Sequence, residues 1–96
     1  MPRYRKLPII VEAFQLTHET RWDNRDWPEW LNEAWNRDNL SVGAMYPAEH
    51  GDPDDLFINT LEGVHRVSSN GWIIQGVQKE LYPCLPDIFK KLYEEA

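Results

Sequence analysis

The chain predicts an α+β fold: a curled, mainly antiparallel sheet of about five strands, with one internal helix and one closing helix packed on it. Two observations carry this expectation. The element types run strand, helix, a run of strands, then helix, instead of alternating as βαβ units do. The strands also fall close together in sequence and are separated by short turn signals, Glu62-Gly63 and Asn70-Gly71, which favours hairpins.

Residues 7–16 are rich in β-branched and aromatic side chains, with Ile9, Val11 and Ala13 on one face and Ile10, Phe14 and Leu16 on the other. That pattern predicts a central strand covered on both sides. Residues 17–25 are polar and without a sustained period, and read as a loop that carries Trp22. Asp26 then supplies a candidate N-cap, Pro28 a first-turn proline and Glu29 the third residue after the cap. The helix this opens has Trp27, Trp30, Leu31, Ala34 and Trp35 on one face, at i, i+3, i+4, i+7 and i+8, which assigns them to the core.

Residues 40–46 read as a second strand, interrupted by Gly43 and stopped by Pro47. Residues 47–55 hold two Pro, Gly51, three Asp, Glu49 and His50, and predict the most exposed loop. Residues 55–67 form a hairpin candidate reversing at Glu62-Gly63. Residues 72–77 follow as a strand after Asn70-Gly71, and residues 80–82 as a short last one. Pro83 and Pro86 cannot donate to a ladder, so pairing ends there. Pro86 and Asp87 open a terminal helix whose Ile88, Phe89, Leu92 and Tyr93 form an apolar stripe expected to close the core.

Ninety-six residues without a linker, repeat or low-complexity tract make one domain, 1–96. Ten Lys and Arg against sixteen Asp and Glu give a net charge of −6, which argues against holding duplex DNA by neutralising phosphates. Against this acidity, the first six residues concentrate Arg3, Arg5 and Lys6 into a basic tip. The longest apolar runs are too short for a membrane span or a secretory signal, and Cys84 is the single cysteine, so a cytoplasmic setting is expected.

The candidate chemistry is sparse. Cys84 stands just before the last helix, where a dipole would lower its pKa, yet His18, His50 and His65 have no spacing that selects a base for it, and a packed residue between Tyr82 and Phe89 is the favoured reading. Residues 50–55 offer four possible metal ligands, His50, Asp52, Asp54 and Asp55, in six positions without the spacing of an EF-hand loop, so a solvated turn is favoured and no metal is expected. No catalytic set and no cofactor loop are visible. Five tryptophans in a chain this short are an excess, and Trp22, outside the helical pattern, is the candidate exposed anchor.

Residues 70–89, Asn-Gly-Trp-Ile-Ile-Gln-Gly-Val-Gln-Lys-Glu-Leu-Tyr-Pro-Cys-Leu-Pro-Asp-Ile-Phe, followed by Tyr93-Glu94, resemble a family of small bacteriophage and prophage proteins of unknown function. Residues 4–14 look like that family's opening strand. The turn departs from it slightly, with Asn70-Gly71-Trp72 where the family usually has Gly-Asp-Trp or Gly-Asp-Tyr, and with Lys79 where a Gly often sits. The resemblance implies a phage product acting in a bacterial cytoplasm and attaches no activity to it.

The function expected is therefore that of a non-enzymatic phage accessory protein binding a host protein or ribonucleoprotein, blunting a defence or regulatory system. Trp22, Asp52, Asp54, Asp55 and Arg66 are its candidate contact residues. The alternatives are a protein that sequesters a nucleotide-like ligand, using aromatic stacking with Arg3, Arg5, Lys6 or Arg66 on phosphates, and, last, a Cys84-dependent enzyme. Homo-oligomerisation stays open.

Overall fold

The computed structural model describes residues 2–5 and 7–96; Met1 and Lys6 of the basic tip lie outside the described residues. The fold is α+β, with the elements β1 (Glu12–Gln15), α1 (His18–Trp22), α2 (Glu29–Asn36), β2 (Met45–Pro47), β3 (Leu56–Thr60), β4 (Gly63–Val67), β5 (Trp72–Gln75), β6 (Leu81–Cys84) and α3 (Pro86–Leu92). The strands form two antiparallel three-stranded sheets, β1-β5-β6 and β2-β3-β4, in place of the one curled sheet expected. The hairpin reversing at Glu62-Gly63 forms as β3–β4, but the turn at Asn70-Gly71 does not make a second one: with Asn70 at φ 71°, β5 pairs with β1 and not with β4, and this splits the meander.

Alternation builds the core. Leu56 and Ile58 of β3 point inward and are fully buried, as are Met45 of β2 and Ile73 of β5. They meet Leu16, Trp27, Leu31, Ala34, Val67 and Leu81 in one cluster between the sheets and α2, with Phe14, Trp30 and Trp35 packed against it. The expected tryptophan face does pack on the core: Trp27, just before α2, is buried, while Trp30 and Trp35 of α2 are partly buried against the cluster. The helix begins two residues later than expected: Pro28 is the N-cap and no side chain caps it, so Asp26 does not serve that role.

The expected strand over residues 7–16 shortens to β1. Continuing the β1–β5 register would place residues 8–11 against 76–79, and there β5 has already turned, with Lys79 N–H donating to Gly76 O at 3.0 Å and Lys79 at φ 65°. Pro8 also has no N–H to offer. Leu7 and Ile10 stay 73% and 82% exposed. The strand covered on both sides is instead β5, whose Ile73 and Ile74 face opposite ways and are both fully buried.

Residues 40–44 are turn, not strand. The Asp38 carboxylate accepts from Leu40 N–H at 2.9 Å, its carbonyl accepts from Ser41 N–H at 2.9 Å, and Gly43 sits at φ 89°. The closing helix also differs from expectation. None of the α3 residues is fully buried; it lies over the outer face of the β1-β5-β6 sheet, with Phe89 stacked on Trp72 at 3.9 Å and Tyr93 on Phe89 at 4.9 Å. Because Phe89 and Tyr93 share one line of the helix, Ile88 and Leu92 fall on another and remain 46% and 64% exposed.

Candidate functional site

The expected loop over residues 17–25 contains α1, and α1 organises the site. Thr17 and Thr20 form a reciprocal capping box: Thr20 N–H donates to Thr17 Oγ1 at 3.2 Å, and Thr17 N–H donates to Thr20 Oγ1 at 2.8 Å. One helical turn separates His18 from Trp22, so both rings project from the same side. The indole N–H of Trp27, rooted in the core, donates to Thr20 O at 2.6 Å and fixes the short helix against the domain.

Asp54 reaches this helix from the acidic loop. Its Oδ1 accepts the Trp22 indole N–H at 2.7 Å, and its Oδ2 meets His18 Nδ1 at 2.7 Å, so one carboxylate bridges both rings. The hydrogen bonds from His18 and Trp22 hold the Asp54 carboxyl below the usual carboxylate range, and the bond to Asp54 together with its charge raises His18 above 6.5. Asp52 Oδ1 accepts Asp54 N–H at 2.9 Å and sets the turn that presents the carboxylate. The result is an indole that is 59% exposed but held at its polar edge.

The next residue faces the other way. Asp55 is buried and accepts from Arg66 Nη1 at 2.8 Å, while Arg66 Nη2 donates to His50 O at 3.1 Å and the guanidinium lies 5.0 Å above the Phe57 ring. Arg66 thereby pins the loop to β4. Gly51 sits beside this pair at φ 94°, a backbone geometry that favours glycine.

All five residues selected from sequence come into this region, in two couplings: Trp22 with Asp54 and Asp52, and Arg66 with Asp55. Their condition differs from that of free docking charges. Asp54 and Asp55 are committed to internal partners, the Asp54 side chain being 15% exposed, and the loop read as unable to bury itself buries part of its acidity. Arg66, likewise, is engaged, by Asp55 and His50 O, though its side chain stays 39% exposed.

Sequence reasoning missed two participants. His18 was visible as the residue four before Trp22, behind a Thr-x-x-Thr cap, but only once α1 is granted. Arg21 is 8% exposed, with its guanidinium 4.3 Å from the Trp22 ring and 5.2 Å from the Trp35 ring, and its Nε has no hydrogen-bond partner. Burial lowers its pKa while the Asp54 charge opposes that. It is the positive underside of the Trp22 platform.

A second concavity of about 700 Å³ opens between α2, the tip of the β3–β4 hairpin and the β5–β6 turn, and is lined by Trp30, Arg37, Asn59, His65, Lys79 and Tyr82 among others. Near its wall the Trp30 indole N–H is buried without an acceptor. Cys84, half-buried at the end of β6, has its thiol pushed up by burial, the direction opposite to that of an activated nucleophile. Among the described residues no group of three or more His, Cys, Asp or Glu side chains is placed to hold a metal ion, and no helix is long and apolar enough to cross a membrane.

Comparison with protein-family models, with curated proteins and with solved structures gives no match to this chain.

Proposed function

We propose that the chain is a non-enzymatic binding module, a phage accessory protein that docks on a protein of its bacterial host to blunt a defence or regulatory system, with Trp22 at the centre of the contact. The observation that carries this reading is the state of that indole: 59% exposed, with its N–H anchored on Asp54 and its face over Arg21. A tryptophan that keeps its surface in water while its rotamer is held by neighbours loses little entropy on binding, and indoles are the side chains most enriched in binding hot spots. The exposed Asp52 and Asp26 give the surroundings a negative character suited to a partner with a basic or polar rim, while Asp23 is paired with Arg25 at 2.6 Å. The phage setting rests on the resemblance of residues 4–14 and 70–89 alone.

The test is capture from host lysate by the immobilised chain, run in parallel with Trp22→Ala. A protein held by the native chain and released by Trp22→Ala is the expected result. If Trp22→Ala retains the same protein undiminished, the contact face is elsewhere and the reading is wrong.

One observation favours a second reading, the sequestering of a nucleotide-like ligand. The concavity beside Trp30 has a volume in the range of small-molecule sites, and it offers Arg37 and Lys79 as cations in place of the engaged Arg66. Thermal unfolding across a nucleotide panel separates the two, since a ligand at about 100 times its Kd adds about 2.7 kcal/mol. Stabilisation abolished by Arg37→Ala and Lys79→Ala would favour this second reading over the first.

A further inference from the structure

Residues 9–11 and α3 enclose a groove of about 740 Å³ on the outer side of the β1-β5-β6 sheet. Ile9, Ile10 and Val11 line one part of it, and Trp72 with the stacked Phe89 another. The groove also carries Asp87, Glu94 and Glu95 against a single cation, Lys90, so it is apolar with a net charge of 1 − 3 = −2. The segment leading into it has the complementary character. Residues 2–5 and 7–10 contain Arg3 and Arg5 and no acidic residue, and they hold Tyr4, Leu7, Ile9 and Ile10 at 93%, 73%, 51% and 82% exposure.

A chain cannot lay this segment into its own groove, because its Ile9, Ile10 and Val11 already form the lining. A second copy can. The β1 strand supports the same arrangement: it pairs only with β5 among the described strands, so its other edge is open beside the groove. We infer that two copies of this chain associate about a two-fold axis, each laying its basic, apolar residues 3–5, 7 and 8 into the other's acidic, aromatic groove, so that the Ile9 and Ile10 lining of both copies is covered as well. Every contact is then made twice, which is how an isologous pair gains area from a short segment. Leu7 and Ile10 leave water, Arg3 and Arg5 approach the partner copy's carboxylates, and Pro8 restricts the segment before it binds, which lowers the entropy lost. The Trp22 face belongs to α1 and the acidic loop, so this association does not depend on the function proposed above.

Sedimentation of the whole chain at low salt tests it, with a charge-exchange design. The native chain is expected to be dimeric, and the dimer to weaken as salt rises. Ile10→Asp, at a position 82% exposed and therefore harmless to the monomer fold, is expected to weaken it at least about tenfold, as is the pair Arg3→Glu with Arg5→Glu. Joining that pair to Glu94→Arg and Glu95→Arg should restore the dimer. A native chain that stays monomeric overturns the inference, even if its groove accepts some foreign peptide. So does a dimer indifferent to Ile10→Asp, and so does failure of the four-fold exchange to restore association while circular dichroism shows each variant folded.

Discussion

Replacing Trp27 with Phe separates two roles that this residue combines. The indole is 6% exposed, sits edge-on to Trp35 at 5.7 Å between ring centroids, and donates its N–H to Thr20 O at 2.6 Å. Phe keeps an aromatic ring in the site, so the edge-to-face contact survives in part, but the donor and about a third of the side chain are lost. The buried hydrogen bond accounts for about 1 kcal/mol, with more if Thr20 O is left without a donor. The partly unfilled space adds about 1 to 2 kcal/mol, less than the 3 to 5 kcal/mol of full truncation to Ala. The sum, about 2 to 3 kcal/mol, is a large fraction of what a domain this small commands. In urea unfolding followed by far-ultraviolet circular dichroism, the midpoint should fall with an unchanged slope, and Tm should drop by about 10 to 20 °C. Because Trp27 anchors α1 to the core, protection of the Trp22 indole N–H from exchange should fall at the same time. A loss below about 0.5 kcal/mol, or full stability loss with Trp22 still protected, would refute the claim that Trp27 positions the site.

Gly71→Ala places a methyl group 2.9 Å from the backbone oxygen of Ser68 and 3.3 Å from Val67 Cγ1, so it should cost about 1 to 3 kcal/mol in thermal unfolding, whereas Gly76→Ala meets the exposed end of the Glu80 side chain, which moves aside at the expense of its bond from Gln78 N–H, and should cost less than Gly71→Ala. For the His18–Asp54 pair the sign follows from both shifts. The raised His18 pKa gives stabilisation that is complete below 6.5 and lost as pH rises through its folded value, and the lowered Asp54 pKa gives stabilisation present above 3.8 and lost as pH falls through its folded value. Nuclear magnetic resonance titration of the His18 ring should therefore show a pKa above 6.5 that returns to about that value in Asp54→Asn. A thiol reagent should modify Cys84 more slowly in the native chain at neutral pH than in the unfolded one; equal or faster native reaction would contradict burial as the cause of its raised pKa.

The parts of the fold that were legible in sequence are those where a local rule and the tertiary environment agree. The period-2 run of β3, the Asn-Gly turn before β5, the helical spacing of Trp30, Leu31, Ala34 and Trp35, and Pro86 opening α3 all reappear. The misreadings have specific causes. Residues 7–11 have strand composition, but strand formation needs a neighbour, and β5 turns away at Gly76. Residues 40–44 have strand composition as well, but the Asp38 side chain offers the backbone a turn. The five residues of α1 are too few for periodicity to detect, and the helix exists because Thr17, Thr20 and Trp27 satisfy its ends.

The site was legible as a set of residue types and not as a set of bonds. Trp22 drew attention as an indole outside any pattern, and Asp54 as part of an acidic loop, yet that one bonds the other across 32 positions is a property of the folded chain alone. Composition also misjudged the loop's exposure. It counted each Asp as a solvated charge, while the fold matches Asp55 with Arg66 and Asp54 with His18. What the sequence could not signal at all is Arg21, whose importance comes from the two rings that enclose it.

That Trp22 is a held, outward-facing platform is tested most directly by its indole N–H resonance, followed while pH is taken through the titration of His18. The account predicts an N–H protected from exchange despite the ring's exposure, shifting in step with His18 and losing its protection in Asp54→Ala. An indole N–H exchanging at the rate of a free tryptophan in the folded native chain, insensitive to His18 and to Asp54→Ala, would contradict it.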